Sequence, residues 1–195
     1  MKVIVLNRKR LGVTIIIIGL MLVLMGAEIR LSNRLKMTAL MQSGLETLKQ
    51  FDIDNSNLAY KLPSTWENTV EDLGGGEILY HSSFISKEAD IYGFAELWKL
   101  RQMDLKTFIE NSKGSGFKPD RVSEYKYKPV EVKGEPAYLL TYNAITPSGN
   151  NIKAYEYFID QGDTFFRMAF YVNKDNFREN MPTIFEAIVN NFEKK

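Results

Sequence analysis

The chain has no cysteine. Disulfides, thiol nucleophiles, cysteine-held zinc and iron–sulfur clusters are therefore excluded, and so is a lipid anchor on cysteine. It has one histidine, His81, and two tryptophans. No acidic residue precedes position 28, because all 24 Asp and Glu follow the first apolar stretch. Past residue 27 no complete catalytic motif is present. A disulfide-free domain must hold itself together by packing, and ten Tyr and twelve Phe are the available source of that burial.

The one long apolar run is Leu11–Ala27, in which Thr14 is the only polar side chain. A helix over these residues is about 25 Å long, slightly short of a ~30 Å hydrocarbon core. Flanking Arg and Lys side chains can snorkel to cover the difference. Lys2, Arg8, Lys9 and Arg10 precede the run, which places the tail in the cytoplasm and the bulk of the chain outside. A cleaved signal peptide is the competing reading. Met25-Gly26-Ala27 lacks the small-x-small site that cleavage needs, so an uncleaved single-pass anchor is expected. With the four tail cations set aside, 21 Lys and Arg face 24 Asp and Glu. That mildly acidic balance argues against nucleic acid as a partner.

Four regions follow: a basic tail (1–10), the anchor (11–27), a helical stalk and linker (28–57) and an extracytoplasmic domain (58–195). The stalk rests on Met37, Met41, Leu45 and Leu48, which make one helical stripe. Residues 51–57, FDIDNSN, read as a polar linker. Leu58–Trp66 is short and extended, with Pro63 favouring an edge or bend. Residues 71–76 form a turn. Strands at 77–85 and 91–101 form a hairpin. Asp104 caps a short helix carrying Leu105, Phe108 and Ile109. Strands at 122–132, 137–145, 152–159 and 164–172 make a meander. Phe177, Met181, Ile184, Phe185, Ile188 and Phe192 define a closing amphipathic helix capped by Asn180, with Pro182 in its first turn. In the last strand Phe166, Met168, Phe170 and Val172 share one face, and Phe165, Ala169 and Tyr171 the other. A sheet with one wet face alternates apolar and polar residues, so both faces here are expected to be covered. The expected fold is α+β: a mostly antiparallel sheet with helices on both faces, an α/β/α sandwich, after one transmembrane helix.

The opening Tyr60-Lys61-Leu62-Pro63-Ser64-Thr65-Trp66 resembles the aromatic-x-x-Pro-x-x-Trp start of PsbP-like domains. The ending Ile184-Phe185-Glu186-Ala187-Ile188-Val189-Asn190-Asn191-Phe192 resembles their closing helix, with Asn191 where Ser is usual. The resemblance spans residues 58–193. It implies a non-enzymatic binding or assembly module outside the membrane, since photosynthetic members are extrinsic subunits or assembly factors of photosystem complexes. It transfers no catalytic, cofactor or metal residue to this chain.

Other constellations carry bland readings. Asp52-x-Asp54-x-Ser56 begins like a calcium loop, but Asn57 and Pro63 occupy the places that need Gly and Glu. Gly74–Gly76 precedes a strand and not a helix, so it is a turn and not a phosphate cradle. His81 cannot work with Ser82, which points to the opposite face of a strand, nor with Ser83, about 6.6 Å along it. Glu156 and Asp160 are expected in solvent or a turn. Glu131, Glu135 and the lysines of 126–133 read as a charged edge that discourages strand pairing. The expected function is a membrane-anchored binding or assembly module for a protein or envelope partner, with no catalytic, cofactor or metal residues. The alternatives are a hydrolase of the envelope, with Glu77, Glu96 or Glu156 converging in a groove, and a sensory domain enclosing a small ligand.

Overall fold

The computed structural model describes residues 18, 21, 47–73, 76–101, 103–111 and 121–195. Apart from positions 18 and 21, the expected anchor and the stalk up to residue 46 lie outside the described residues. Among the described residues no helix is long and apolar enough to cross a membrane.

Among the described residues from 47 on, ten strands and two α-helices follow in chain order: β1 (Leu48–Asp52), β2 (Leu58–Pro63), β3 (Glu67–Glu71), β4 (Ile78–Ser86), β5 (Ile91–Lys99), α1 (Leu105–Asn111), β6 (Val122–Val132), β7 (Glu135–Ile145), β8 (Asn151–Asp160), β9 (Thr164–Asn173), α2 (Met181–Val189) and β10 (Glu193–Lys194). The fold is mostly antiparallel sheet with few helices. A seven-stranded sheet runs β3-β4-β5-β9-β8-β7-β6, and a three-stranded sheet runs β1-β2-β10. The expected 77–101 hairpin is β4–β5, and the expected meander is β6 to β9. Lys133 and Gly134 both have positive φ, 51° and 86°. That backbone matches the right-handed twist of two flanking strands.

Three expectations about the edges of this domain change. Leu48 is the first residue of a strand and not the last rung of a helical stripe. β1 and the turn after it occupy most of the expected linker, pairing Leu48 with Pro63 and Asp52 with Ala59. Backbone pairing to β2 drives this strand, since of its side chains only Phe51 is partly buried. β2 is the centre of the small sheet, so Pro63 ends a central strand and does not mark an edge. Asn180 stands before α2, but its side chain makes no capping bond, and the helix ends at Val189. Phe192 therefore lies beyond the helix. Asp104, by contrast, does cap α1: its Oδ1 accepts from the Thr107 N–H at 2.7 Å.

The two faces of the large sheet are buried in separate apolar clusters. On one, Phe166, Met168, Phe170 and Val172 of β9 pack with Ile184, Phe185 and Ile188 of α2 and with Leu58, Tyr60 and Leu62 of the small sheet. Phe185 stacks on Phe170 with centroids 4.4 Å apart, and Phe192 on Phe166 at 5.0 Å. On the other, Phe165, Ala169 and Tyr171 cluster with Phe158, Leu105 and Ile109. Close strand packing needs Gly93: a Cβ there would lie 2.0 Å from the Ala169 carbonyl and 2.7 Å from the Phe84 ring.

Phe185 is fully buried, so truncation leaves a cavity. Phe185→Ala is expected to cost about 3–5 kcal/mol, whereas Glu186→Ala, on the exposed side of α2, should change stability by less than about 0.5 kcal/mol. Denaturant unfolding of the two variants checks this, and equal midpoints would mean that α2 is not part of the core.

Candidate functional site

The α1-side face of the sheet carries a buried polar row. His81 pairs with Glu96 in register across β4 and β5, Glu96 with Arg167 across β5 and β9, and Arg167 with Phe158 across β9 and β8. Glu156 lies one diagonal step from Arg167 on the same face. Arg167 donates through Nε and Nη2 to Glu156 Oε2 at 3.0 and 2.7 Å, and through Nη1 to Glu96 Oε2 at 3.2 Å. Trp98 Nε1 donates to the same Glu96 oxygen at 2.7 Å. His81 Nδ1 lies 2.8 Å from Glu96 Oε1. The Tyr142 and Tyr171 hydroxyls donate to Glu156 Oε1 at 2.6 and 2.9 Å. The guanidinium sits 4.6 Å over the Phe94 ring and 5.3 Å over Phe158.

Electrostatics follow from this packing. Burial works against the Arg167 charge, but the facing Glu156, then Tyr171 and Glu96, hold its pKa above the ordinary range. Burial first, and then the Glu156 charge, push the Tyr142 and Tyr171 hydroxyls well above theirs. Every carboxylate oxygen of Glu96 and Glu156 faces at least one partner. The cluster thereby ties β4, β5, β9, β8 and β7 together.

Of the three acids considered for a hydrolase, Glu96 and Glu156 do converge, through Arg167. Glu77 does not: it pairs with Arg101 at 3.2 Å on the surface. Glu156 is not in solvent but 2% exposed, because its β8 position faces a covered side of the sheet. Its charge is tolerated there only because Arg167 and two hydroxyls meet it. Asp160 does serve the turn, accepting from Gly162 N–H at 2.8 Å. Ser82 lies on the opposite face from His81, 2.6 Å from the Tyr60 hydroxyl, and Ser83 donates to Glu71. Asp52 contacts Lys195 at 2.8 Å, and its hydrogen bonds to Lys195 and Gln50 hold its pKa below the usual range. Glu131 is exposed on the edge strand β6, and Glu135 pairs with Lys194 at 2.8 Å. Among the described residues no three acids or histidines are placed to hold a metal ion.

Two surfaces stand out beside the cluster. Leu79, Ile85 and Tyr92, all 39–51% exposed, stand on the His81 face of β4 and β5. A groove of about 220 Å³ runs between α2 and strands β6 to β8, lined in part by Lys128, Leu139, Tyr155, Tyr157 and Thr183. Periodicity could not find either one. The first is a surplus of apolar residues near a sheet edge, and the second joins residues far apart in sequence.

The family described as PsbP-like protein matches residues 15–194. No curated protein matches the chain by sequence. The solution structure of a cyanobacterial PsbP from Synechocystis is similar in fold, with a TM-score of 0.53 at 12% identity, covering 78% of this chain and 95% of that one. A crystal structure from Bacteroides thetaiotaomicron has a TM-score of 0.51 at 12% identity, covering 75% of this chain and 48% of that one.

Removing Arg167 would strand two buried carboxylates, so Arg167→Ala is expected to cost about 3–5 kcal/mol in urea unfolding. A loss below about 1 kcal/mol would mean that the cluster does not hold the strands.

The buried tyrosines set a separate dependence on pH. Their folded pKa values lie above the unfolded value of about 10, so the folded state holds these protons more tightly. Their contribution is fully present below pH ~10 and is lost as pH rises above it. Stability measured from pH 8 to 11.5 should therefore fall beyond pH ~10, and less steeply in Tyr142→Phe. An identical fall in that variant would assign the effect to other groups.

Proposed function

The chain belongs to the PsbP-like family, and from that premise we propose that it is a non-enzymatic module that binds a protein or envelope partner. In this reading Leu11–Ala27 is an uncleaved anchor that holds the domain at the outer face of a membrane. The layering proposed with it is helix–sheet–helix, with α2 on one face and α1 on the other. Clustering of Leu105 and Ile109 with Phe165 supports the second layer.

The observation that carries the binding function is the apolar exposure on the His81 face of β4 and β5. Ile85 and Tyr92 face each other across β4 and β5 at 40% and 39% exposure, with Tyr92 stacked on Tyr171 at 5.4 Å. Large apolar side chains grouped on a surface mark interaction sites. The concentrated acids, by contrast, are taken up in mutual pairing.

A photocrosslinking residue at Ile85 in intact cells is expected to give one discrete adduct, and the same residue at exposed Lys174 none. Loss of that distinction would remove the case for this surface. Protease added to intact cells should cut away the domain and leave a short protected fragment. A mature N-terminus near residue 28 would overturn retention of the anchor.

A further inference from the structure

The α1-side face of the large sheet is only partly covered. α1 packs Leu105 and Ile109 with Leu140, Phe158 and Phe165, on β7 to β9. On β4 and β5 the same face leaves Leu79, Ile85 and Tyr92 exposed. Ile85 and Tyr92 make one rung at one end. Leu79 stands six residues away along β4, a span of about 20 Å. The patch therefore has two apolar ends. His81 and Ser83 lie between them, with the edge strand β3 alongside.

The carboxylates of this face are of two kinds. Glu67 pairs with Lys87, and Glu96 pairs with Arg167 at 3.2 Å. Glu71, in register with His81, accepts instead from a neutral group, the Ser83 hydroxyl, at 2.9 Å. Among the described residues no Lys or Arg pairs with it. The Ser83 bond thus holds an uncompensated negative charge at the middle of the patch. Exposed to water, that charge is well solvated. An occupant that covers both apolar ends also takes water from Glu71, and doing so without supplying a cation is costly.

The occupant's chemistry follows from this. A second copy of the chain would bring another Glu71, and a Lys87 already engaged by Glu67. An anionic lipid surface would meet a like charge. A protein segment with a cation between two apolar groups matches all three positions. An α-helix has the right span, since side chains at i, i+7 and i+14 recur on one side over about 21 Å. A central cation also excludes neutral and acidic competitors, which would leave Glu71 covered and unpaired.

We infer that this face docks a cationic amphipathic helix of a partner protein, with its apolar ends on Leu79 and on the Ile85–Tyr92 rung and a central Lys or Arg on Glu71. The inference rests on the reading of this face as the binding surface, and it names the chemistry of what binds there.

The probe is a labelled, alanine-rich helical peptide of about 15 residues, with leucines at both ends and two arginines in its central turn. Its fluorescence anisotropy is followed on adding the full-length chain in phosphatidylcholine nanodiscs, against empty discs. The same peptide with two glutamines, or two glutamates, in place of the arginines serves as comparison. The arginine peptide is expected to bind saturably, at least tenfold more tightly than either. Glu71→Gln should weaken it at least fivefold and leave the glutamine peptide unchanged, whereas Glu77→Gln should alter neither. Absence of saturable binding, equal binding of the arginine and glutamine peptides, or affinity unchanged in Glu71→Gln overturns the inference. The chain has no cysteine of its own, so Ile85→Cys reports on other occupants. A disulfide-linked dimer of that variant, formed even under saturating arginine peptide, would assign the face to a second copy. A nitroxide on the same cysteine, shielded from a water-borne relaxation agent with and without peptide, would assign it to lipid. Either result overturns the inference. A discrete Ile85 crosslink in intact cells, alongside peptides that all bind alike, would reject the cationic helix and leave the binding surface standing.

Discussion

Arg167 can reach Glu96 and Glu156 in only one register of β5, β9 and β8. A slip of one residue turns every side chain of β9 to the other face. Arg167 would then enter the apolar layer beneath α2, and two carboxylates would be left buried without a cation. Phe166, Met168 and Phe170 would at the same time trade places with Phe165, Arg167 and Ala169. The charged row and the two apolar clusters therefore specify the same alignment from opposite sides of the sheet. The ion pairs need contribute little net energy for this to hold, because their main effect is to make the wrong pairing expensive.

The same arrangement divides labour between the faces. The α2 side is almost wholly apolar along β9, with stacked rings joining sheet, helix and the small sheet. Its polar groups gather where cover thins, at the outer strands. The α1 side carries its charge in the middle, walled by Phe94, Phe158 and Trp98. Charge is central on one side and marginal on the other, so what a ligand or partner can meet differs between the two.

The central strands were legible because their chemistry is local. The double-sided apolar character of β8 and β9 pointed to cover on both faces, and Asp104 placed the start of α1. The short edges were not legible. β1 and β3 bury almost nothing of their own, so hydrophobic period carries no signal for them and backbone pairing decides. Asn180 has the right residue type for a cap, yet Pro182 and the preceding turn set the helix entrance without its side chain. Glu156 misled for a related reason. A carboxylate in a strand reads as wet until its partners, 11 residues away at Arg167 and 14 away at Tyr142, are known to face it.

The small sheet has a mechanical side. β1 runs from Leu48, beside Pro63, to Asp52, beside Ala59, and a tight turn closes it onto β2. The Thr47 carbonyl, just before β1, accepts from Ser64 N–H at 2.9 Å. A pull transmitted through the residues before Leu48 loads this hairpin at its open end. Bonds there break pair after pair, as in a peeled strip, and do not resist together as they would in shear. The β1 strip can be drawn out against modest force while β2, clamped on its other side by β10 and seated on the aromatic layer, stays in place. The fold thus carries, at this end, a strip a few residues long that can peel away while the body keeps its shape.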